Sequence, residues 1–168
     1  GLGLVDYPMG VIATGALLGY LHETQKSSLD HLMHIEAYET SEFMIIDSSS
    51  RRNLELCETL RDKQKKGSLL WVLDKTKTAM GARMLRNMVE QPLVDKKKIE
   101  ERYDAITTLT NQTIVREELR EYLNPIYDLE RLMTKVSYKT ANPRDMIAFK
   151  TSLELLPAIK TILEECKD

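Results

Sequence analysis

Cysteine, proline and glycine are all scarce in this chain, and each scarcity excludes a class of protein. The two cysteines, Cys57 and Cys166, lie far apart without the spacing of a metal-binding motif. We therefore predict free thiols, not a disulfide framework or a zinc site. Seven glycines and five prolines in 168 residues are too few for a loop-rich or disordered chain. Regular secondary structure is expected over most of the length.

Long hydrophobic runs are also missing. The apolar stretch over residues 10–21 is shorter than the roughly 20 residues that a membrane-spanning helix needs. The residues before it contain Asp6 and no Lys or Arg, whereas a secretory leader starts with positive charge. We expect a cytoplasmic protein without a membrane partner.

The charge is nearly balanced, since 24 Lys and Arg face 26 Asp and Glu for a net charge of -2. A dedicated nucleic-acid-binding domain usually carries a basic excess, so strong autonomous DNA binding is disfavoured. Basic residues do cluster at 63–66, 75–77, 83–86 and 96–98. Acidic residues are interleaved and no aromatic ladder accompanies them, so we interpret these clusters as solvated helix ends. No contact to DNA phosphate is assigned.

Motifs for catalysis, cofactors and metals are absent from the sequence. Nucleotide hydrolysis by a P-loop requires G-x-x-x-x-G-K-[ST], which does not occur. His31 and His34 could share a helical face, but no Cys or second His pair completes a metal site. The serines at 48–50 lack the G-x-S-x-G context of a hydrolase nucleophile. We predict no catalytic, cofactor-binding or metal-binding residue in this chain.

Hydrophobic spacing predicts a mainly α-helical fold. Apolar residues recur every three or four positions in a first segment over residues 10–26 and in six later ones. Alternation followed by a short apolar run predicts one small two-stranded β element near residues 34–47. Six later helices are expected to start at capping residues or after loops. Their starts are after Asp47, after Thr78, after Asp95, near Val115, after Asp128 and after Asn142, and the first of them should run to about residue 63.

The last helix has the clearest start signal, because Asn142 is a good cap and Pro143 presets the first helical position. Pro157 removes one backbone hydrogen bond inside this helix, so a bend with continuation is expected there. The spacing predicts one apolar side formed by Met146, Phe149, Leu153, Leu156, Ile159 and Leu163.

Several segments, taken in order, resemble the middle of bacterial MutS mismatch-repair proteins. The longest is Gly67-Ser-Leu-Leu-Trp-Val-Leu-Asp-Lys-Thr-Lys-Thr-Ala-Met-Gly-Ala-Arg-Met-Leu85. The others are residues 53–56 (NLEL), 101–106 (ERYDAI), 128–131 (DLER) and 143–145 (PRD). The resemblance runs from about Tyr7 to the end. It implies a linker from the connector domain at residues 1–9, and the first part of the helical core or lever domain at residues 10–168, ending before the clamp insertion.

The resemblance also implies a mechanical function, which is to couple a DNA clamp to an ATPase. The parent protein would bind ATP and Mg, recognise mismatched double-stranded DNA and form a homodimer, while this segment would contact the clamp and ATPase domains of its own chain. The Phe-x-Glu motif that reads mismatches in the family does not occur at Phe43 or Phe149. Structural or hinge roles are expected for Gly81, which we interpret as a close helix contact, and for Asp128, Arg131, Pro143, Arg144, Asp145 and Pro157.

A second interpretation comes from another functional class. Composition and periodicity also fit a free-standing helical protein-interaction module without a DNA role. A small hydrolase or metalloenzyme has little support, because the motifs it needs are missing.

Overall fold

A computed structural model describes residues 7–24 and 42–166 and divides the chain into two compact units, Gly1–Thr40 and Ser41–Asp168. The first unit contains helix α1 (Pro8–Thr24), close to the predicted position. None of the side chains of α1 is buried. None of the helices in the described ranges has both the length and the apolarity of a membrane span.

The described part of the second unit contains seven helices, which confirms the mainly α-helical prediction. They are α2 (Ser48–Asn53), α3 (Leu69–Leu73), α4 (Ala79–Glu90), α5 (Lys96–Asn111), α6 (Thr113–Leu123), α7 (Leu129–Ser137) and α8 (Pro143–Glu165).

Side-chain caps explain where most of these helices begin. A cap accepts hydrogen bonds from backbone N–H groups that have no partner inside the helix. The predicted caps Thr78, Asp95, Asp128 and Asn142 all accept such bonds, and Asp47 does so for α2. Helix α6 has no side-chain cap.

The predicted two-stranded β element is not supported. Its first strand, near residues 35–39, lies outside the described residues. Its second strand is wrong, because residues 43–47 form no ladder with a neighbouring strand. Phe43 instead makes an isolated antiparallel bridge to Leu93, with the Met44 N–H donating to the Pro92 carbonyl at 2.7 Å. The short apolar run at residues 43–47 does not by itself indicate its pairing partner, which is the loop before α5.

Helix α2 is shorter than predicted and is followed by a helix that the spacing did not indicate. Helix α2 ends at Asn53, because Glu55 takes the left-handed conformation with φ 49°. The loop then pairs with the start of α3, where the Leu70 N–H donates to the Leu56 carbonyl at 2.8 Å. The buried Ser68 caps α3. Leu56 therefore contributes to the core from a loop.

The core of the second unit lies where α8 packs against α6 and α7, with α5 against α6 and α3 against α4 in further contacts. Six apolar side chains are buried among the described residues, namely Leu56, Leu70, Ile126, Leu132, Ile159 and Ile162. Far more large apolar side chains are exposed in the same part of the chain.

The buried side of α8 differs from the predicted one. Ser152, Ile159 and Ile162 are buried, whereas Leu153, Leu156 and Leu163 are each about 40% exposed. Residues 152 and 159 are two helical turns apart and share a face, and α6 and α7 cover that face. The predicted apolar side is thus split into a covered edge and an uncovered stripe. Helix α8 continues through Pro157, as predicted.

Candidate functional site

Asp128 joins two helices that are distant in sequence. It caps α7, where its carboxylate accepts the Arg131 backbone N–H at 3.3 Å. The Arg83 guanidinium, on α4, donates to both carboxylate oxygens of Asp128 from Nη1 and Nη2, each at 2.7 Å. Such a two-pronged contact fixes orientation as well as distance. We call the contacts of Arg83 with the start of α7 the ion-pair junction.

Two more charges belong to the ion-pair junction. The Nε of Arg83 donates to a Glu130 carboxylate oxygen at 3.1 Å. The side chain of Arg131 also pairs with Asp128, with 3.3 Å between Nε and the carboxylate. Asp128 and Arg131, both expected to have structural roles, therefore form an ion pair, but Arg131 is 79% exposed and is the weaker partner.

The electrostatics of the ion-pair junction favour its ionised state. The hydrogen bonds from Arg83 hold the pKa of the Asp128 carboxyl below its ordinary value. The same bonds raise the pKa of Arg83. Asp128 is largely covered, with 16% of its side chain exposed, so solvent screens this pair less than an open surface pair.

Gly81 lies in the first turn of α4, two residues before Arg83. Its N–H donates to the hydroxyl of the cap Thr78 at 3.0 Å. A Cβ added at Gly81 would lie 3.0 Å from that hydroxyl oxygen and 3.5 Å from the Thr76 Cβ. The nearest neighbours of Gly81 thus belong to the loop that caps its own helix. The sequence interpretation had expected a neighbouring helix there.

The other end of α7 is attached to α8. Lys135, in the last turn of α7, donates to the Asp145 carboxylate at 2.8 Å. Asp145 also completes a capping box, because its backbone N–H donates to the Asn142 side chain at 2.8 Å and its carboxylate accepts the Asn142 N–H at 3.1 Å. The Lys135 contact lowers the pKa of Asp145.

The remaining predicted residues lie outside these contacts. Pro143 occupies the first position of α8. Arg144 is exposed, and its side chain has no hydrogen-bond or ion-pair partner among residues 7–24 and 42–166. Pro157 is an exposed position within α8. The structure therefore brings together Asp128 and Arg131 at one end of α7 and Asp145 at the other, but not Arg144 or Pro157.

Two important residues were missed by sequence reasoning. In the sequence, Arg83 is recognisable only as a member of the basic cluster at residues 83–86, because its partners lie 45 and 47 residues away. Ser152 is fully buried in α8, accepts the Tyr127 N–H at 3.0 Å and donates to the Ala148 carbonyl at 2.9 Å. It fixes the loop before α7 onto α8. A serine at an apolar helical position is the only signal for it in the sequence.

No cluster of acidic, His and Cys side chains suited to a metal ion occurs in the described ranges. His31 and His34 lie outside the described residues. The ion-pair junction contains no nucleophile or titrating acid and base pair, so its chemistry is that of attachment between helices.

The sequence is similar to proteins that share one name. A family model described as MutS domain III matches residues 49–168. The DNA mismatch repair protein MutS of Lachnoclostridium phytofermentans is 68% identical over 99% of this chain. The proteins of that name from Ruminiclostridium cellulolyticum and Bacillus cytotoxicus are 52% and 56% identical over 96% and 89% of it. The chain spans 17–19% of the length of these relatives.

Proposed function

Because this chain belongs to the MutS family and matches its domain III, we propose that it is the first part of the core or lever domain of a mismatch-repair ATPase. The family model and the relatives confirm the resemblance to MutS proteins. Its proposed function is to transmit conformational changes between a DNA clamp and an ATPase domain, both located elsewhere in the same polypeptide. The segment itself would be non-catalytic.

The attachment of α7 at both ends carries this proposal. Arg83 and Asp128 tie its first turn to α4, and Lys135 and Asp145 tie its last turn to α8. Nine residues at 1.5 Å per residue make α7 a rod of about 13 Å. A short rod fixed by ion pairs at both ends moves as one body, so a displacement of α4 is passed to α8.

The exposed apolar surface supports a role inside a larger protein. Trp71, Val72 and Leu73 in α3 are each between 46% and 57% exposed, and Leu153 and Leu156 in α8 are each at least 40% exposed. Extended apolar surfaces of this kind are usually covered by a partner.

The properties of the whole protein are proposed from its relatives. We propose that the parent polypeptide binds ATP and Mg and recognises mismatched double-stranded DNA. We further propose that it acts as a cytoplasmic homodimer, with this segment contacting its clamp and ATPase domains. The relatives are DNA mismatch repair proteins, which gives no support to the alternative of a free-standing module without a DNA role.

The test removes the charge from the ion-pair junction in the full-length polypeptide that carries this chain. Asp128→Asn keeps an oxygen for helix capping but loses the carboxylate, and Arg83→Gln loses the guanidinium. Steady-state ATP hydrolysis would be measured with no DNA, with matched duplex and with mismatched duplex. We expect near-normal hydrolysis without DNA and a response to the mismatch that is reduced at least about fivefold.

The matched control is Lys160→Gln, which removes one charge from an exposed pair within α8, where Lys160 and Glu164 are 3.9 Å apart. It should behave as the unsubstituted protein does. A normal mismatch response in both junction variants, with the fold intact by circular dichroism, would contradict the proposed transmission.

A further inference from the structure

A half-open cavity of about 380 Å³ lies beside the loop that connects α2 to α3. Its lining includes the side chains of Arg51, Arg52, Cys57, Leu60 and Lys63. None of its lining residues belongs to the ion-pair junction. We call it the α2 pocket.

Two cations of the α2 pocket are unused. Arg52 and Lys63 are exposed, and neither side chain has a hydrogen-bond or ion-pair partner among the described residues. The third cation, Arg51, is oriented by its Nε, which donates to the Ile46 carbonyl at 2.9 Å. Because this bond uses only Nε, the other nitrogens of the Arg51 guanidinium remain available as donors.

Cations outnumber carboxylates at the α2 pocket. Glu90 accepts a hydrogen bond from the Arg86 Nε at 2.9 Å, and Glu58 lies 3.9 Å from the same guanidinium. Arg86 offsets one of these two negative charges, and the three lining cations Arg51, Arg52 and Lys63 exceed the other by two, so the lining keeps positive charge for a ligand.

The backbone around the α2 pocket is strained. Glu55 and Lys63 have φ of 49° and 48°, a left-handed conformation that non-glycine residues rarely adopt. The turn that carries Lys63 is fixed by its N–H, which donates to the Thr59 carbonyl at 3.1 Å, and by the Thr59 N–H, which donates to the Gln64 carbonyl at 2.9 Å. Strain of this kind concentrates at binding sites, where the surrounding structure holds it.

The walls of the α2 pocket are partly aliphatic. Leu56, 9% exposed, is part of the wall, and Leu60, about half exposed, lies on the same lining. An inorganic anion gains nothing from such walls, whereas a carboxylate on an aliphatic stem fits both the cations and the leucines. The lining contains no aromatic side chain on which a nucleic-acid base could stack.

From these features we propose that the α2 pocket binds an acidic side chain, flanked by an apolar residue, of a polypeptide segment outside this chain. Relatives such as the Lachnoclostridium protein have more than four-fifths of their length outside the matched region, which supplies such a segment. Arg52 and Lys63 line the same pocket, so a guanidinium and an ammonium are both available to a bound carboxylate.

The test uses Cys57, whose thiol lines the α2 pocket, as a reporter in a Cys166→Ser background. Burial raises the pKa of Cys57 to about 11, so its alkylation by iodoacetamide would be followed at about pH 9. The probes are acetyl-Leu-Glu-Leu-amide, its matched Gln peptide, inorganic phosphate and a short DNA duplex. We expect the Glu peptide to slow alkylation in a saturable manner and the Gln peptide to protect at least about tenfold less well.

The double variant Arg52→Ala with Lys63→Asn should abolish this protection, and asparagine tolerates the left-handed conformation at position 63. The matched control is Arg61→Ala with Lys66→Asn, which removes the same charge from neighbouring residues outside the lining and should leave protection intact. The proposal is overturned if the Gln peptide protects equally, if phosphate or duplex DNA protects better than the Glu peptide, or if no probe protects while the circular dichroism is native. Each of these results can be obtained whether or not the ion-pair junction couples mismatch binding to ATP hydrolysis. A failure of this proposal is therefore distinguishable from a failure of the proposed function.

Discussion

Asp128 illustrates how one residue can serve two purposes. Its carboxylate caps α7, which is a local task that asparagine or serine could also perform. The same carboxylate receives Arg83 from α4, a task that requires negative charge and two oxygens. Substitution by asparagine separates the two roles.

We predict that Asp128→Asn lowers the melting temperature at pH 7 by about 2–4 °C. The pKa of Asp128 is lower in the folded chain than in the unfolded chain, where about 3.9 applies. Its charge therefore stabilises the fold fully above about pH 4, and this stabilisation is lost as pH falls through the folded pKa. The difference between the variant and the unsubstituted protein should shrink as pH falls below about 4, as thermal unfolding followed by circular dichroism at several pH values can show.

The control for this substitution is Asp104→Asn on α5, an exposed aspartate whose side chain has no partner in the described part of the chain. It should change stability little at any pH. An Asp128→Asn effect that does not shrink as pH falls below about 4 would mean that charge is not its cause.

At the scale of elements, α8 has two apolar sides with different surroundings. The side with Ile159 and Ile162 is covered by α6 and α7, and the side with Leu156 and Leu163 is open. The loss of unfolding free energy on substitution by alanine should therefore depend on how buried the side chain is, and not on the residue type.

We predict that Ile159→Ala lowers the free energy of unfolding by about 2–4 kcal/mol, because it removes a side chain that is 9% exposed and leaves a cavity. Leu156→Ala, at a site 40% exposed, should cost less than about 1 kcal/mol. Urea unfolding of the two variants measures both. Equal losses would mean that Leu156 is covered in solution and that the uncovered stripe does not exist.

At the scale of the whole molecule, two motifs that the proposed function requires are missing from this chain. Residues 1–168 contain no P-loop motif and no Phe-x-Glu motif. The balanced charge gives little attraction to DNA phosphates.

We therefore predict that the 168-residue chain hydrolyses no ATP and binds matched and mismatched duplexes equally weakly, with affinity that falls steeply with salt. Phosphate release and fluorescence anisotropy at two salt concentrations are suitable measurements. The full-length polypeptide, which does both under the proposed function, provides the positive control. A mismatch preference of the isolated chain at physiological salt would place recognition within these residues.

The sequence by itself determined the family, the helical class and most helix starts. Caps such as Thr78, Asp95 and Asn142 act on N–H groups two or three residues away, so their effect can be read from a short window. The left-handed Glu55, which ends α2 early, has no comparable local signal.

Only the tertiary structure decided which charges meet and which apolar side of α8 is covered. The partners of Arg83 lie 45 and 47 residues away, and the bridge partner of Phe43 is Leu93, 50 residues away, so no local pattern specifies them. Leu156 and Ile159 are equally apolar in the sequence, but α6 and α7 bury only Ile159. Short-range hydrogen bonding sets the elements, while long-range packing chooses among several faces that the sequence makes equally suitable.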